Sequence, residues 1–284
     1  MMINKITRYL RRMIALNRIN LALSRGRVTA GLRAINPTNP LSWEFSAFSQ
    51  NGDDGIIDYL TQKVKNNNYY FIEIGSSSGI ENNTSWLAIA RKYSGLMIEG
   101  DLISAQKCKQ IIPSLNLGVE CIHLFVDKDN VGQLCELALF KDPDFFSLDI
   151  DGNDYYVAEA LLKVGFSPKI WAVEYNSAFG PTNALTIEYL KNFNYLTAHK
   201  SNLYFGTSIA GWKIFFQRHG YQFVTVDRNG VNAFFIKPEH FDSKFVKDIQ
   251  GLRYRENFYL LKKFKMTWEK QFEMIKHMSF FEIK

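Results

Sequence analysis

Apolar residues in this chain fall into short β-rich runs separated by segments with helical spacing, and the two alternate from residue 53 to residue 176. "DDGIIDYLTQKV", "TSWLAIARKY", "SAQKCKQII", "NVGQLCELALF" and "YYVAEALLKVG" place apolar residues at the three-to-four spacing of a helix. Between them, "YYFIEIG", "SGLMIEGD", "VECIHLFVD", "DFFSLDI" and "KIWAVEYN" are dense in β-branched and aromatic residues and close on or beside Gly, Asp, Glu or Asn. Alternation of this kind predicts a parallel sheet covered on both faces. After a loop-rich stretch, "SIAGWKIFFQRHG" predicts one more helix. "YQFVTVD", "RNG" and "VNAFFIKP" then predict two strands joined by a short Asn-Gly turn, which makes them antiparallel.

The two ends differ from this body. "INKITRYLRRMIALNRINLALSRGRV" carries Ile3, Ile6, Leu10, Met13 and Leu21 near helical spacing with arginines on other faces, the pattern of a basic amphipathic helix. Such a helix either lies on an anionic membrane surface or packs on its own domain or a second subunit with its arginines in water. "NPTNPLSWEF" reads as a linker, because each Asn-Pro step favours a turn. Residues 239–284 look helical and rich in Lys and Phe. The expected organisation is a basic arm and linker over 1–40, a core over 41–238 and a helical extension over 239–284, with no internal repeat.

Charge sharpens this division. The chain of 284 residues has a net charge of +6, while residues 1–40 hold Lys5, Arg8, Arg11, Arg12, Arg18, Arg25, Arg27 and Arg33 and no acid. Removing those eight leaves the remainder near −2, so the basicity belongs to the arm and does not mark a nucleic-acid binder. Cys108, Cys121 and Cys135 match no zinc spacing and predict buried, reduced thiols in a cytoplasmic setting. No apolar stretch is long enough to span a membrane.

Candidate chemistry sits at the ends of the expected strands. "FIEIGSSSGIENNT" puts Gly75 and Gly79 in a loop where a ligand can approach the backbone, without the GxGxxG order of dinucleotide folds. Glu73, two residues before Gly75, would repel a pyrophosphate and attract a cationic ligand, which points to S-adenosylmethionine. Glu99 follows Gly79 by twenty residues, the offset at which an acid accepts hydrogen bonds from ribose hydroxyls. Asp127, closing "FVD", is expected near an adenine edge.

With these residues in view, the sequence resembles the FkbM-like class I S-adenosylmethionine-dependent methyltransferases. The resemblance rests on "FSAFSQNGDDGII", "FIEIGSSSGIENNT", "GLMIEGD", "FFSLDIDGNDYYV", "VEYN", "YFGTS" and "GVNAFFIKP", in order over residues 43–238. It implies a Rossmann-like fold of class α/β, with a seven-stranded, mostly parallel sheet, an antiparallel last strand and helices on both faces. It implies cofactor contacts at Glu73, Gly75, Ser76, Gly79 and Glu99, to which Asn83, Asp127 and Asp149 are added as candidates. Many such enzymes methylate hydroxyls on sugars and other natural products.

"DIDGND", residues 149–154, concentrates like charges that would be a poor choice for merely stabilising a loop. It is not an EF-hand, since Gly152 is fourth and Ala160 stands at position twelve. It matches the DxD of metal-dependent glycosyltransferases, which remains the main rival. In a methyltransferase frame, Asp149, Asp151, Glu174 and Asn176 are expected to converge as oxygen ligands for Mg²⁺ or Mn²⁺. The layout resembles the catechol-type O-methyltransferases, although Tyr175 splits the pair that ends the set and Glu174 begins it. Asp149, Asp151 and Asp154 are candidates for base or ligand duty, with His199 an outside candidate. Asp154 as a helix cap and His199 as a solvated loop residue are the plainer alternatives. Trp86, Trp212, Tyr155, Tyr156 and Tyr204 are candidates to line an acceptor cleft.

The sequence thus leads to a cytoplasmic O-methyltransferase acting on a sugar hydroxyl of a surface glycan or its precursor. The arm is expected at the inner face of a membrane, on a glycolipid or an anionic acceptor, or in a homo-oligomer. A non-catalytic methyltransferase-like subunit of a glycan-assembly complex is the second alternative.

Overall fold

Five strands are apolar enough to be buried on both sides, and they form the centre and flank of one sheet. In a computed structural model, which describes residues 2–284 and side chains from residue 13 onward, the strands are β1 Tyr70–Ile74, β2 Ser94–Glu99, β3 Val119–His123, β4 Phe145–Leu148, β5 Ile170–Glu174, β6 Leu185–Ile187, β7 Gln222–Val226, β8 Asn232–Ile236 and β9 Phe280–Glu282. The main sheet runs β3-β2-β1-β4-β5-β8-β7. All neighbours are parallel except β8, which runs antiparallel to both β5 and β7. This is the seven-stranded, mostly parallel sheet with an antiparallel last strand that the sequence predicts.

The period of two along each strand sorts side chains to two cores. Phe71, Met97, Phe145, Ala172 and Phe234 pack on one face under α2 Asp53–Thr61, α3 Ser85–Ile89 and α4 Leu102–Ile111. Ile72, Ile98, Phe146, Trp171 and Phe235 pack on the other under α5 Gly132–Leu137, α6 Asp154–Lys163 and α8 Ile209–Arg218, the short helix α7 Tyr195–Ala198 lying between α6 and α8 in the chain. The β7–β8 connection is a tight turn in which the Asp227 carboxylate accepts the backbone N–H groups of Asn229 (2.7 Å) and Val231 (2.9 Å). Gly230 takes φ +74° there, and a Cβ would lie 2.5 Å from the Arg255 carbonyl oxygen.

The extension beyond residue 238 is only partly helical: α9 Ser243–Asp248, α10 Phe258–Phe264 and α11 Trp268–Glu273 lead into β9, which pairs antiparallel with β6. It packs on the core. Tyr175 donates its hydroxyl to the Arg255 carbonyl (2.6 Å), and Phe272 and Phe280 join Phe179, Ile187 and Ile275 in a third apolar cluster.

Two expectations are corrected here. The first helix, α1 Met2–Gly31, buries Ala15, Ile19, Ala22 and Gly26, while Met13 and Leu21 of the expected stripe are 44% and 70% exposed. Ile3, Ile6 and Leu10 lie outside the described side chains. Small residues won the inner face because α1 lies close against the core: a Cβ on Gly26 would stand 2.6 Å from that of Ala47. Arg33 fixes the end of α1 by donating to the Trp43 carbonyl (2.6 Å), and Arg18 pairs with Glu81. Second, Cys108 and Cys121, expected as reduced thiols, are joined as a disulfide with Cα atoms 6.0 Å apart, while Cys135 is free. The packing of α4 along β3 brings together two residues that the sequence separates by thirteen. No helix among the described residues is long and apolar enough to cross a membrane.

Candidate functional site

Strand order reverses between β1 and β4, since the chain moves outward through β2 and β3 on one side and through β5 on the other. Open α/β sheets bind ligands at the carboxyl ends of the strands beside such a switch. Here Gly75 leaves β1 with φ +90°, and its Cα faces the carbonyl of Asp149 so closely that a Cβ would come within 1.7 Å of that oxygen. The two residues form a waist. On one side lies a cavity of about 500 Å³ lined by Ser77, Glu99, Asp101, Phe125, Asp151 and Phe193 among others. On the other lies a cavity of about 270 Å³ lined by Asp53, Glu73, Asn83, Glu174, Asn232 and Tyr259 among others. Gly75 and Asp149 line both.

The larger cavity has the size of a small-ligand site and contains Glu99 as an organised acceptor. One carboxylate oxygen of Glu99 accepts from the Ser77 N–H (2.6 Å) and the other from the Asp101 N–H (2.7 Å). Each oxygen retains a lone pair for a ligand hydroxyl. Asp101 caps α4 by accepting from the Ser104 N–H at 2.8 Å. Neither cavity has a Lys, Arg or His among its lining residues.

The acidic cluster divides by function. Asp149, Asp151 and Glu174 bring oxygen atoms within 4.8 Å of one another, a spacing that suits an oxygen-liganded divalent cation. Burial, then the neighbouring carboxylates, Asp151 foremost, hold Asp149 well above the usual Asp range. Glu174 is raised in the same way, by burial and then by Asp149. Asp151 is also raised, by desolvation in the crevice and by Glu99. Asp151 takes φ +55°, a left-handed conformation that Asp tolerates, and lines the larger cavity beside Asp149. Gly152 follows because a Cβ there would stand 2.4 Å from the Phe193 ring.

Several expected site residues do other work. Asp154 accepts the N–H groups of Ile150 (2.9 Å) and Gly152 (2.8 Å), so it closes the acidic loop and does not face a cavity. Burial still raises its carboxyl to about 6. Asn176 turns away from the acids: its Nδ2 donates to the carbonyls of Leu203 (2.7 Å) and Phe205 (2.9 Å), and its Oδ1 accepts from the Ala178 N–H (3.0 Å). Asp127 lies beyond β3, which ends at His123, and both its oxygens accept the Tyr189 hydroxyl at 2.7 and 2.9 Å. His199 meets the Ser201 hydroxyl (2.8 Å) and the His277 ring, whose centroid is 5.5 Å away, outside both cavities. Ser76 and Gly79 are buried within the glycine loop and line neither cavity, and Ser77 takes the lining position.

Glu73 and Asn83 line the smaller cavity, so they stand on the far side of the waist from Glu99. Glu73 accepts from the Asn83 N–H (2.9 Å) and the Thr84 hydroxyl, which ties the loop before α3 to β1. Burial pushes its carboxyl up to about 7. Of the aromatics proposed for an acceptor cleft, none lines either of these two cavities. Trp212 is fully buried with its Nε1 donating to the Glu174 carbonyl (2.8 Å), and Trp86, Tyr155, Tyr156 and Tyr204 are likewise committed to packing and hydrogen bonds. Phe125, Phe193 and Tyr259 line the cavities instead. Phe125 and Phe193 come from loops, where no strand or helix pattern marks them, and Tyr259 from the first turn of α10 in the C-terminal extension. Asp53 had a signal in "NGDDG", two acids opening a helix, which reads as a response to the helix dipole.

No family model matches the chain, and no curated protein matches it. Among solved structures it is similar to the O-methyltransferase from Bacillus cereus in complex with SAH, at 17% identity over 78% of this chain and 89% of that one, with a TM-score of 0.43. A putative O-methyltransferase from Klebsiella pneumoniae is similar at 17% identity over 77% and 87%, TM-score 0.43. The O-methyltransferase TomG from Streptomyces achromogenes, in complex with SAM, is similar at 13% identity over 68% and 80%, TM-score 0.41. At these TM-scores the likeness carries no argument: the fold stands on the sheet order itself, and any activity rests on the residues at the waist.

Proposed function

We propose that this chain is an S-adenosylmethionine-dependent O-methyltransferase of the FkbM-like type, acting on a sugar hydroxyl of a glycan or its precursor at the cytoplasmic side of a membrane. The observation that carries the reading is the waist: Asp149 stands between a cavity that holds the ordered Glu99 acceptor and a second cavity rich in carboxamides. Gln50, Asn51, Asn82, Asn83, Asn232 and Asn257 line that second cavity, a set suited to a hydroxyl-rich acceptor. The acid-lined walls favour a sulfonium cofactor over a nucleotide diphosphate, whose charge nothing in either lining would neutralise.

In this reading Glu99 orients the cofactor through its ribose hydroxyls. Bound S-adenosylmethionine supplies the electrophilic methyl. Burial and mutual repulsion make Asp149 and Glu174 hold a proton between them, Glu174 the better holder, so that the ionised Asp149 accepts the acceptor hydroxyl's proton as it is lost. The waist aligns acceptor oxygen and methyl donor, so that proximity replaces a bimolecular encounter. Asp149, Asp151 and Glu174 also fit Mg²⁺ or Mn²⁺, which would favour ionisation of the hydroxyl. The repulsion within this cluster has no structural return, which weighs against a non-catalytic subunit.

Calorimetric titration with S-adenosylmethionine, S-adenosylhomocysteine and a nucleotide-sugar, each with and without Mg²⁺ or Mn²⁺, tests the reading. Micromolar binding of the adenosyl ligands supports it. Binding of the nucleotide-sugar alone, and only with metal, would replace it with the glycosyltransferase.

Membrane contact through the arm draws support from a different observation. Ile14, Leu21 and Val28, seven residues apart, are 60%, 70% and 60% exposed on the face of α1 turned away from the core. An apolar stripe on a helix with many arginines and no acid suits an anionic lipid surface. Leu21→Glu should reduce co-sedimentation with anionic vesicles severalfold; unchanged sedimentation removes the arm from the reading.

A further inference from the structure

Among the described residues, Asp53 is the one buried acid with both side-chain oxygens unpartnered. It opens α2 and is 1% exposed, yet with the Asn232 side chain beside it neither of its carboxylate oxygens accepts a hydrogen bond of good geometry. A buried polar group without a partner is costly and rare, and a carboxylate more so. Its neighbour Asp54 shows what a structural acid looks like here: one oxygen takes the N–H groups of Ala47 (2.7 Å), Phe48 (2.8 Å) and Ser49 (2.8 Å). Asp227, also close to Asp53, is likewise committed to the turn after β7. Asp53 holds no such bonds and instead lines the smaller cavity.

A second unpartnered acceptor lines the same cavity. The Asn232 side-chain Oδ1 is buried on a residue 3% exposed and accepts no hydrogen bond. Glu73, Glu81, Asp149 and Glu174 complete the acidic lining; Glu81 pairs with Arg18, and no cationic side chain lines the cavity itself. A hydroxyl could donate to one of these oxygens, but an ammonium offers three donors and the missing charge together.

We propose that Asp53 and the Asn232 Oδ1 form an ammonium subsite, so that the acceptor is an amine-bearing sugar whose amino group sits apart from the hydroxyl that is methylated. This rests on the reading of the smaller cavity as the acceptor pocket. The cation neutralises Asp53 and the wall behind it, while the methylated hydroxyl reaches Asp149 at the waist. Burial, then the nearby Asp227, holds the Asp53 carboxyl well above its ordinary range, so binding of the cation should draw a proton off it.

The test is ligand-observed NMR on the full chain with saturating S-adenosylhomocysteine and EDTA, which removes divalent metal as an occupant. Glucosamine is compared with glucose and N-acetylglucosamine, and galactosamine with galactose and N-acetylgalactosamine. In at least one set the amine should bind tenfold or more tightly than both neutral partners, and Asp53→Asn should abolish that preference. Asp53→Asn keeps the shape and removes an unpartnered buried carboxyl, so its melting temperature should hold or rise and its affinity for S-adenosylhomocysteine should stay unchanged. No amine preference in any set, or a preference that survives Asp53→Asn, overturns the subsite. Failure of the wild type to bind S-adenosylhomocysteine would instead overturn the methyltransferase reading beneath it.

Discussion

Replacing Glu99 by Ala should weaken S-adenosylhomocysteine binding by about two orders of magnitude. Both carboxylate oxygens are already oriented by backbone donors, from Ser77 at 2.6 Å and Asp101 at 2.7 Å, so the group is ordered before any ligand arrives. Two ribose hydroxyls donating to it would form charge-assisted bonds worth about 1.5–3 kcal/mol each. Some of that returns when water solvates the truncated site, leaving a net loss of about 3 kcal/mol, or roughly 150-fold in Kd. Glu99→Gln keeps one acceptor oxygen and the side-chain volume but loses the charge, and should cost about tenfold. Calorimetry of both variants against the wild type reads these values, and their melting temperatures report whether the Ser77 loop has collapsed. A change under threefold for Glu99→Ala, with melting unaltered, would refute the assignment of the larger cavity to an adenosyl ligand.

Gly75→Ala forces a Cβ to within 1.7 Å of the Asp149 carbonyl at φ +90°, so the waist must open; denaturant melts should show a loss of about 2–4 kcal/mol, and an unchanged midpoint would contradict the close approach. Lys169, 2% exposed by side chain, pairs at 2.7 Å with Asp144, which is fully buried. Lys169→Met should therefore cost about 3–5 kcal/mol, with much of it recovered in the double variant with Asp144→Leu. The Glu73 carboxyl is raised from 4.5 to about 7, so the folded state binds a proton that the unfolded state releases across that window. Its contribution therefore lowers stability as pH rises from about 4.5 to 7, by on the order of 3 kcal/mol. Melting curves over this range should be flatter in Glu73→Gln than in the wild type, and equal slopes would exclude the raised carboxyl.

Period and residue type were enough to read the sheet. Strands such as "FFSLDI" and "KIWAVEYN" are apolar on both faces because both faces are covered, and the Asn-Gly turn declared the antiparallel pair. The glycine loop, Glu99 and the convergence of Asp149, Asp151 and Glu174 were readable for the same reason: in an alternating α/β chain every strand ends on the same edge, so acids that close successive strands meet. The outer face of α1 was harder, because an amphipathic pattern with apolar residues on two sides does not say which side the core takes. Ala15, Ala22 and Gly26 went inward beside Ile19 since close helix contact rewards small residues, leaving Ile14 and Leu21 in solvent.

What the sequence alone determined is the order of strands and helices, the edge on which the chemistry gathers and the kind of charge gathered there, all set by local periodicity. Which oxygens remain free was decided only by tertiary contacts. Asp154, Asn176 and Asp127 look like ligands in the sequence and are consumed by backbone and side-chain donors. Asp53 looks like a helix opener and is left without a hydrogen bond of good geometry, because the turn and loop around it direct their backbone donors to Asp54 and Asp227 instead.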